Sequence, residues 1–93
     1  MMYTTYVLYS ESGKLHYTGY TSNMKMRLLS HNVFGKGWTS KFRPWKLVYA
    51  KEFPSKLEAM NYEKWLKSGV GRAYFMSLGV KEDTLTLGDH EIL

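Results

Sequence analysis

Arg27 and His31 stand four residues apart in a segment whose apolar positions, Met24 and Leu28, are also four apart. On a helix that spacing stacks a guanidinium and an imidazole on one face, at the margin of an apolar stripe. Further along, Glu63 shares a helical face with Ala59 and Leu66, where a carboxylate is costly unless a metal, a cation or water satisfies it. An (i, i+4) pair with Lys67 on a solvated edge is the plainer reading of the same residue. Tyr6 and Tyr17 lie on two strand-like runs joined by a short turn, and side chains directly opposed on such strands come within about 5 Å. Either tyrosine alone also suits a core.

The charge distribution says what these groups would meet. Between Ser12 and Lys51 lie Lys14, Lys25, Arg27, Lys36, Lys41, Arg43, Lys46 and Lys51, with no Asp or Glu. Cations without counter-charges, interleaved with Tyr, Trp and Phe, make a surface that grips phosphates and stacks on bases or sugars. An idle basic surface is the alternative that charge alone leaves open. Residues 82–93 carry four acids and no Lys or Arg, so the tail is a separate electrostatic object. It reads as a solvated end, or as a weak polyanion mimic that covers the basic face.

Composition excludes other classes. Ninety-three residues supply one small core, and 44% hydrophobic with 16% aromatic residues rules out a disordered chain. With no cysteine there are no disulfides, thiolate metal sites or thiol nucleophiles, so any metal must be held by oxygen or imidazole. The opening residues lack the pattern of a signal peptide and no apolar run is long enough to span a bilayer. A cytoplasmic protein, neither secreted nor membrane-embedded, is expected.

The elements that position these groups can be placed. Tyr3 to Ser10 and Lys14 to Tyr20 read as strands around a Glu11-Ser12-Gly13 turn, giving a β-hairpin. Thr21 or Ser22 can cap a helix that runs to about Asn32, ended by Gly35 and Gly37. Residues 33–44 read as a loop. After Pro44, the alternation from Trp45 to Lys51 predicts a third strand with Trp45, Leu47 and Tyr49 on one face. Ser55-Lys56-Leu57-Glu58 has the form of a capping box, in which Glu58 reaches back to the cap amide, and predicts a helix over about 56–68. A shorter helix is expected over roughly 71–78. The expected fold is α+β, a small three-stranded antiparallel sheet flanked by helices in the order ββαβαα. Residues 1–80 form the domain and 81–93 the acidic tail.

Taken in register, Tyr6, Tyr17-Thr18-Gly19, Arg27, His31 and Glu63 resemble the GIY-YIG nuclease superfamily, whose two name motifs lie on the first two strands. The likeness covers about Tyr3 to Leu78 and looks closest to small stand-alone members related to the N-terminal endonuclease domain of the bacterial nucleotide-excision repair nuclease. The second motif stands as Tyr17-Thr18-Gly19, followed by Tyr20-Thr21-Ser22-Asn23. The first has decayed to Thr4-Thr5-Tyr6, which keeps only its tyrosine. The family's helix arginine falls on Arg27, its histidine on His31 with Asn32 after it, and its metal-binding glutamate on Glu63. An asparagine that some members carry after the second helix has no clear counterpart.

The resemblance implies a divalent-metal-dependent DNA endonuclease. Phosphodiester hydrolysis needs a positioned water, a divalent ion and a cation for the developing charge. By resemblance, Glu63 would hold one Mg²⁺ or Mn²⁺, Arg27 would fork onto the scissile phosphate, and Tyr17 or Tyr6 would orient or deprotonate the water. His31 would supply positive charge or a supporting hydrogen bond. Lys36, Lys41, Arg43 and Arg72 would touch phosphates, and Trp38 would stack on a base or sugar; Trp45 reads as core. No helix looks built to read a major groove, so structure or strand type should outweigh sequence, as in DNA repair. A protein partner would supply targeting to a monomer or weak oligomer. A nucleic-acid-binding module with little intrinsic cleavage is the second reading, and a protein-interaction domain the third.

Overall fold

The computed structural model describes residues 1–78, so the acidic tail lies outside the described residues. Three antiparallel strands, β1 (Tyr3–Ser10), β2 (Leu15–Thr21) and β3 (Trp45–Phe53), form a sheet in the order β2-β1-β3. Three helices, α1 (Met24–Leu29), α2 (Lys56–Lys67) and α3 (Gly69–Ser77), complete the expected ββαβαα order. The class is α+β.

As the central strand, β1 buries side chains on both faces. On one face Tyr6 and Leu8 meet Leu15, Tyr17 and Trp45, with Met24, Leu28 and Phe42 packed against them. Val7 belongs to the other face and meets Leu66 and Phe75, flanked by Val48, Tyr49, Tyr62 and Met76. Each fully buried large apolar side chain contributes about 1.5–3 kcal/mol, so a short chain gains most by filling both faces of one strand. Helix α2 is tied to this strand by the Thr5 hydroxyl, which donates to the Ala59 carbonyl at 2.8 Å.

Several local expectations are corrected. The cap of α1 is Asn23, whose Oδ1 accepts the Met26 amide at 3.1 Å, while the Thr21 hydroxyl accepts the Asn23 amide instead. The helix does not run on to Asn32 in α geometry. It widens into a π turn over Ser30–Phe34, closed by the Gly35 amide donating to the Ser30 carbonyl at 2.7 Å. A side chain at Gly35 would strike that carbonyl, with a Cβ only 2.2 Å from it. The segment read as a loop contains a 3₁₀ turn over Trp38–Phe42, entered through Gly37 at φ 101°, a left-handed conformation that glycine adopts without strain.

The expected alternation of β3 fails midway. Val7 pairs with Tyr49 but Leu8 pairs with Leu47, so Val48 is an extra residue in a bulge. A bulge reverses which side chains face which side beyond it. Trp45 and Leu47 therefore share one face while Tyr49 joins the other core, against the expectation that all three point together. At α2, Ser55 caps the Glu58 amide at 3.2 Å, but the Glu58 carboxylate accepts from the Ser55 hydroxyl at 3.0 Å rather than from the cap amide.

Candidate active site

Gly19 is the reason two phenols fit side by side. In the hairpin register Tyr6 faces Gly19 and Tyr17 faces Leu8, so the tyrosines are diagonal neighbours rather than directly opposed. A Cβ at Gly19 would stand 2.8 Å from the Tyr6 hydroxyl and 3.1 Å from the Tyr17 ring. Without it the rings stack with centroids 6.2 Å apart and planes 18° from parallel.

The N-terminal helix brings its polar pair onto this platform. Arg27 donates from Nε to the Tyr6 hydroxyl at 3.1 Å. The same hydroxyl lies 3.2 Å from His31 Nε2, and His31 Nδ1 lies 3.1 Å from the Thr39 hydroxyl. Tyr6 has one proton; with Arg27 donating to its oxygen, that proton reaches an acceptor if Tyr6 donates to Nε2. We therefore assign His31 the tautomer protonated at Nδ1, donating to Thr39, which leaves none of these buried hydrogens without an acceptor. The ring also sits edge-on to Tyr17, with centroids 4.7 Å apart.

The electrostatics follow from burial and from Arg27. Desolvation drives the Tyr6 phenol well above its ordinary value, reinforced by Tyr17 and, more weakly, by the Glu63 carboxylate, and opposed by the Arg27 hydrogen bond and charge. Burial, then Arg27, then Arg43 lower His31 to about 4, so it is neutral near pH 7. His31 is thus not the positive charge that a tyrosine base would need. Arg27 is stabilised as a cation chiefly by its bond to Tyr6, with Tyr17 also close to its guanidinium.

Beside this cluster opens a cleft of about 210 Å³, lined by Tyr17, Arg27, His31, Lys36, Trp38 and Thr39 together with Ser30 and Gly35. Tyr17, Arg27 and His31 reach it, whereas Tyr6 lies fully buried behind them. Glu63 is not in the lining, yet its charge is felt at the Tyr6 hydroxyl. Its carboxylate pairs with Lys67 Nζ at 2.8 Å, the plainer of the two arrangements the sequence allowed.

The remaining expected residues divide. Lys36 and Trp38 are exposed and line the cleft; Lys41 is exposed on the 3₁₀ turn but outside the lining. Arg43, expected on phosphates, is turned inward instead. Its Nε donates to the His31 carbonyl at 2.6 Å, and its Nη2 group reaches the carbonyls of Gly35 and Ser30. This guanidinium satisfies the His31 and Gly35 carbonyls at the end of the π turn and reinforces the Ser30 carbonyl that already accepts the Gly35 amide. Arg72 is on α3, with its Nε buried. Trp45 is core as expected, 3% exposed, and donates from Nε1 to the Thr39 carbonyl at 2.8 Å.

Thr39 and the positioning role of Asn32 carried no signal in the sequence. The Asn32 amide donates to the Trp45 carbonyl at 2.9 Å and accepts the Trp45 amide at 2.6 Å, standing in for a strand neighbour at the start of β3. No regular spacing links Thr39 to His31, because a π turn and a glycine at positive φ intervene.

Comparison with known proteins agrees with this geometry. The family model described as the GIY-YIG catalytic domain matches residues 2–74. The UPF0213 protein SAG0778 of Streptococcus agalactiae is 46% identical over 70 residues, covering 73% of this chain and 77% of its own. The UPF0213 protein YsiG of Lactococcus lactis is 39% identical over 85 residues, 89% of this chain and 79% of that protein. Among solved structures, the solution NMR structure of the UPF0213 protein BH0048 from Bacillus halodurans superposes with a TM-score of 0.50 at 29% identity, over 91% of this chain and 100% of that one. With both tyrosines, the glycine between their rings, and the helix Arg–His pair in one cluster, the chain belongs to the GIY-YIG catalytic domain family.

Proposed function

We propose that the protein is a divalent-metal-dependent endonuclease that hydrolyses phosphodiester bonds in DNA, selecting structure over sequence, with a role in DNA repair or recombination. The convergence of Tyr17, Arg27 and His31 on one cation-lined cleft supports this reading. A cytoplasmic setting, and a monomer or weak oligomer to which a protein partner would supply targeting, belong to the same proposal.

Arg27 has its Nε committed to Tyr6, so its orientation is fixed and its guanidinium lines the cleft beside Tyr17, where a phosphate would meet it. A guanidinium can fork onto two phosphoryl oxygens, which Lys cannot, and it offsets the charge that grows there as the water oxygen bonds to phosphorus and the phosphorus–oxygen bond to the departing sugar breaks, that alkoxide taking a proton from solvent water. Tyr17 faces the cleft beside the Arg27 guanidinium and is the group that orients that water and takes its proton. Tyr6, buried and held protonated, positions Arg27 and His31. Lys36 holds the flanking backbone.

Glu63 is the residue to hold one Mg²⁺ or Mn²⁺. A lone carboxylate suits a hard cation that keeps most of its waters, and among the described residues no group of three His, Cys, Asp or Glu forms a closed cage. Once bound, the ion supplies phosphate neutralisation and a more acidic water. The Lys67 contact at the Glu63 carboxylate favours the second reading, a DNA-binding module with little cleavage.

Incubation with supercoiled, linear, single-stranded and branched DNA in Mg²⁺, Mn²⁺ or EDTA, alongside Glu63→Ala, tests the proposal. Metal-dependent cleavage lost in Glu63→Ala is expected. Binding without cleavage on every substrate would establish the second reading instead.

A further inference from the structure

Trp38 is a large aromatic left 38% exposed although its surroundings hold it firmly. Its ring packs against Phe42 at 5.1 Å and Trp45 at 6.3 Å between centroids, so the indole is braced from within and shows its remaining surface at the cleft. The same small space carries the Arg27 and Lys36 cations. At about 210 Å³ the cleft is smaller than the ~300–1,000 Å³ typical of pockets for drug-sized ligands. That space is on the scale of a single nucleotide rather than of a larger ligand.

We infer that the cleft receives a single unpaired nucleotide next to the bond that is cut, with its base against Trp38, so that single-stranded or flapped DNA is the preferred substrate over continuous duplex. The inference rests on the nuclease reading and adds the strand type. In a duplex, both faces of each base are covered by its neighbours and only edges show in the grooves. The part of the indole left free at the cleft can be stacked on only by a base outside the duplex stack. Arg27 and Lys36 fix the phosphate beside it. The cost of taking a base out of a duplex is absent in single strands, which makes Trp38 a discriminator of strand type without reading sequence.

The test measures binding of the full chain, in EDTA and at one fixed salt concentration, to a labelled single strand, its duplex, and a wholly abasic strand of the same length. Fluorescence anisotropy should show the single strand bound about tenfold or more tightly than the duplex, a preference lost in Trp38→Ala and largely kept in Trp38→Phe. Removing the bases should weaken the wild type about as much as Trp38→Ala does, and should not weaken that variant further. Duplex bound as well as single strand, or the abasic strand bound as well as the intact one, overturns the inference. These two arms use the wild type, so they decide the matter even if Trp38→Ala does not fold. Cleavage that persists without strand preference would sink this inference alone, whereas no binding to any DNA would sink the nuclease reading with it.

Discussion

The Tyr6 hydroxyl lies 2.8 Å from the point where a Cβ on Gly19 would stand, closer than real Cβ contacts come. That single relationship gives the third residue of Tyr17-Thr18-Gly19 a role: it opens the floor of the cluster so that Arg27 and His31 can both reach Tyr6.

Gly19→Ala should therefore push the Tyr6 ring aside. Overpacking at a filled site costs about 1–3 kcal/mol, and the displaced hydroxyl would release Arg27 as well. Urea unfolding should show the stability loss, and turnover should fall further than that loss explains at temperatures where the variant remains folded. Unchanged turnover would mean that the Tyr6 bond to Arg27 has no part in catalysis.

His31 predicts an acid-side loss of stability. Its folded pKa of about 4 lies below the unfolded value of about 6.5, so the unfolded chain binds the extra proton first. The contribution is complete above about pH 6.5 and is lost as pH falls towards 4. Urea unfolding at pH 7, 5.5 and 4.5 should fall more steeply for the wild type than for His31→Gln. Parallel curves would show that His31 titrates normally.

Thr39 should orient the imidazole whose tautomer the Tyr6 proton sets. In the wild type and in Thr39→Val, nitrogen-15 NMR should find His31 protonated at Nδ1, since Nε2 remains the acceptor of the Tyr6 proton; Thr39→Val removes the acceptor that holds the ring in place, and Thr39→Ser should restore it. Turnover in Thr39→Val should fall by about tenfold or more, with the serine variant close to wild type. A wild-type ring already protonated at Nε2 would contradict the assignment.

Lys67 competes for Glu63. Replacing it with Met should cost little stability, since (i, i+4) helix pairs contribute about 0.3–0.5 kcal/mol and Met keeps the aliphatic packing of this half-buried side chain, but should free the carboxylate for a cation. Titration of cleavage with Mn²⁺ should then reach half-maximum at a lower concentration than in the wild type. A higher requirement would place the metal elsewhere.

How much of this was readable beforehand depends on the range over which each feature is set. The strands, the Arg27/His31 spacing and the Ser55 cap are set within a few residues, and the sequence shows them directly. The π turn is set by Gly35 and by Arg43, eight residues further on, whose guanidinium reads from sequence as one more phosphate contact. The bulge at Val48 is set by how β3 meets two different cores, and no period in the strand itself records it. Thr39 meets His31, and Asn32 meets Trp45, across the π turn and the positive-φ Gly37. Irregular backbone thus hid much of the site's support, while Tyr17, Arg27 and Glu63 lay in regular elements.

Arg43 ties the end of the 3₁₀ turn to the carbonyls of the π turn, and both turns contribute to the lining of the cleft. One buried-facing guanidinium thereby sets the aperture before any substrate arrives. Little entropy is left to lose on closing, and selectivity lies in what can enter rather than in a lid that shuts afterwards.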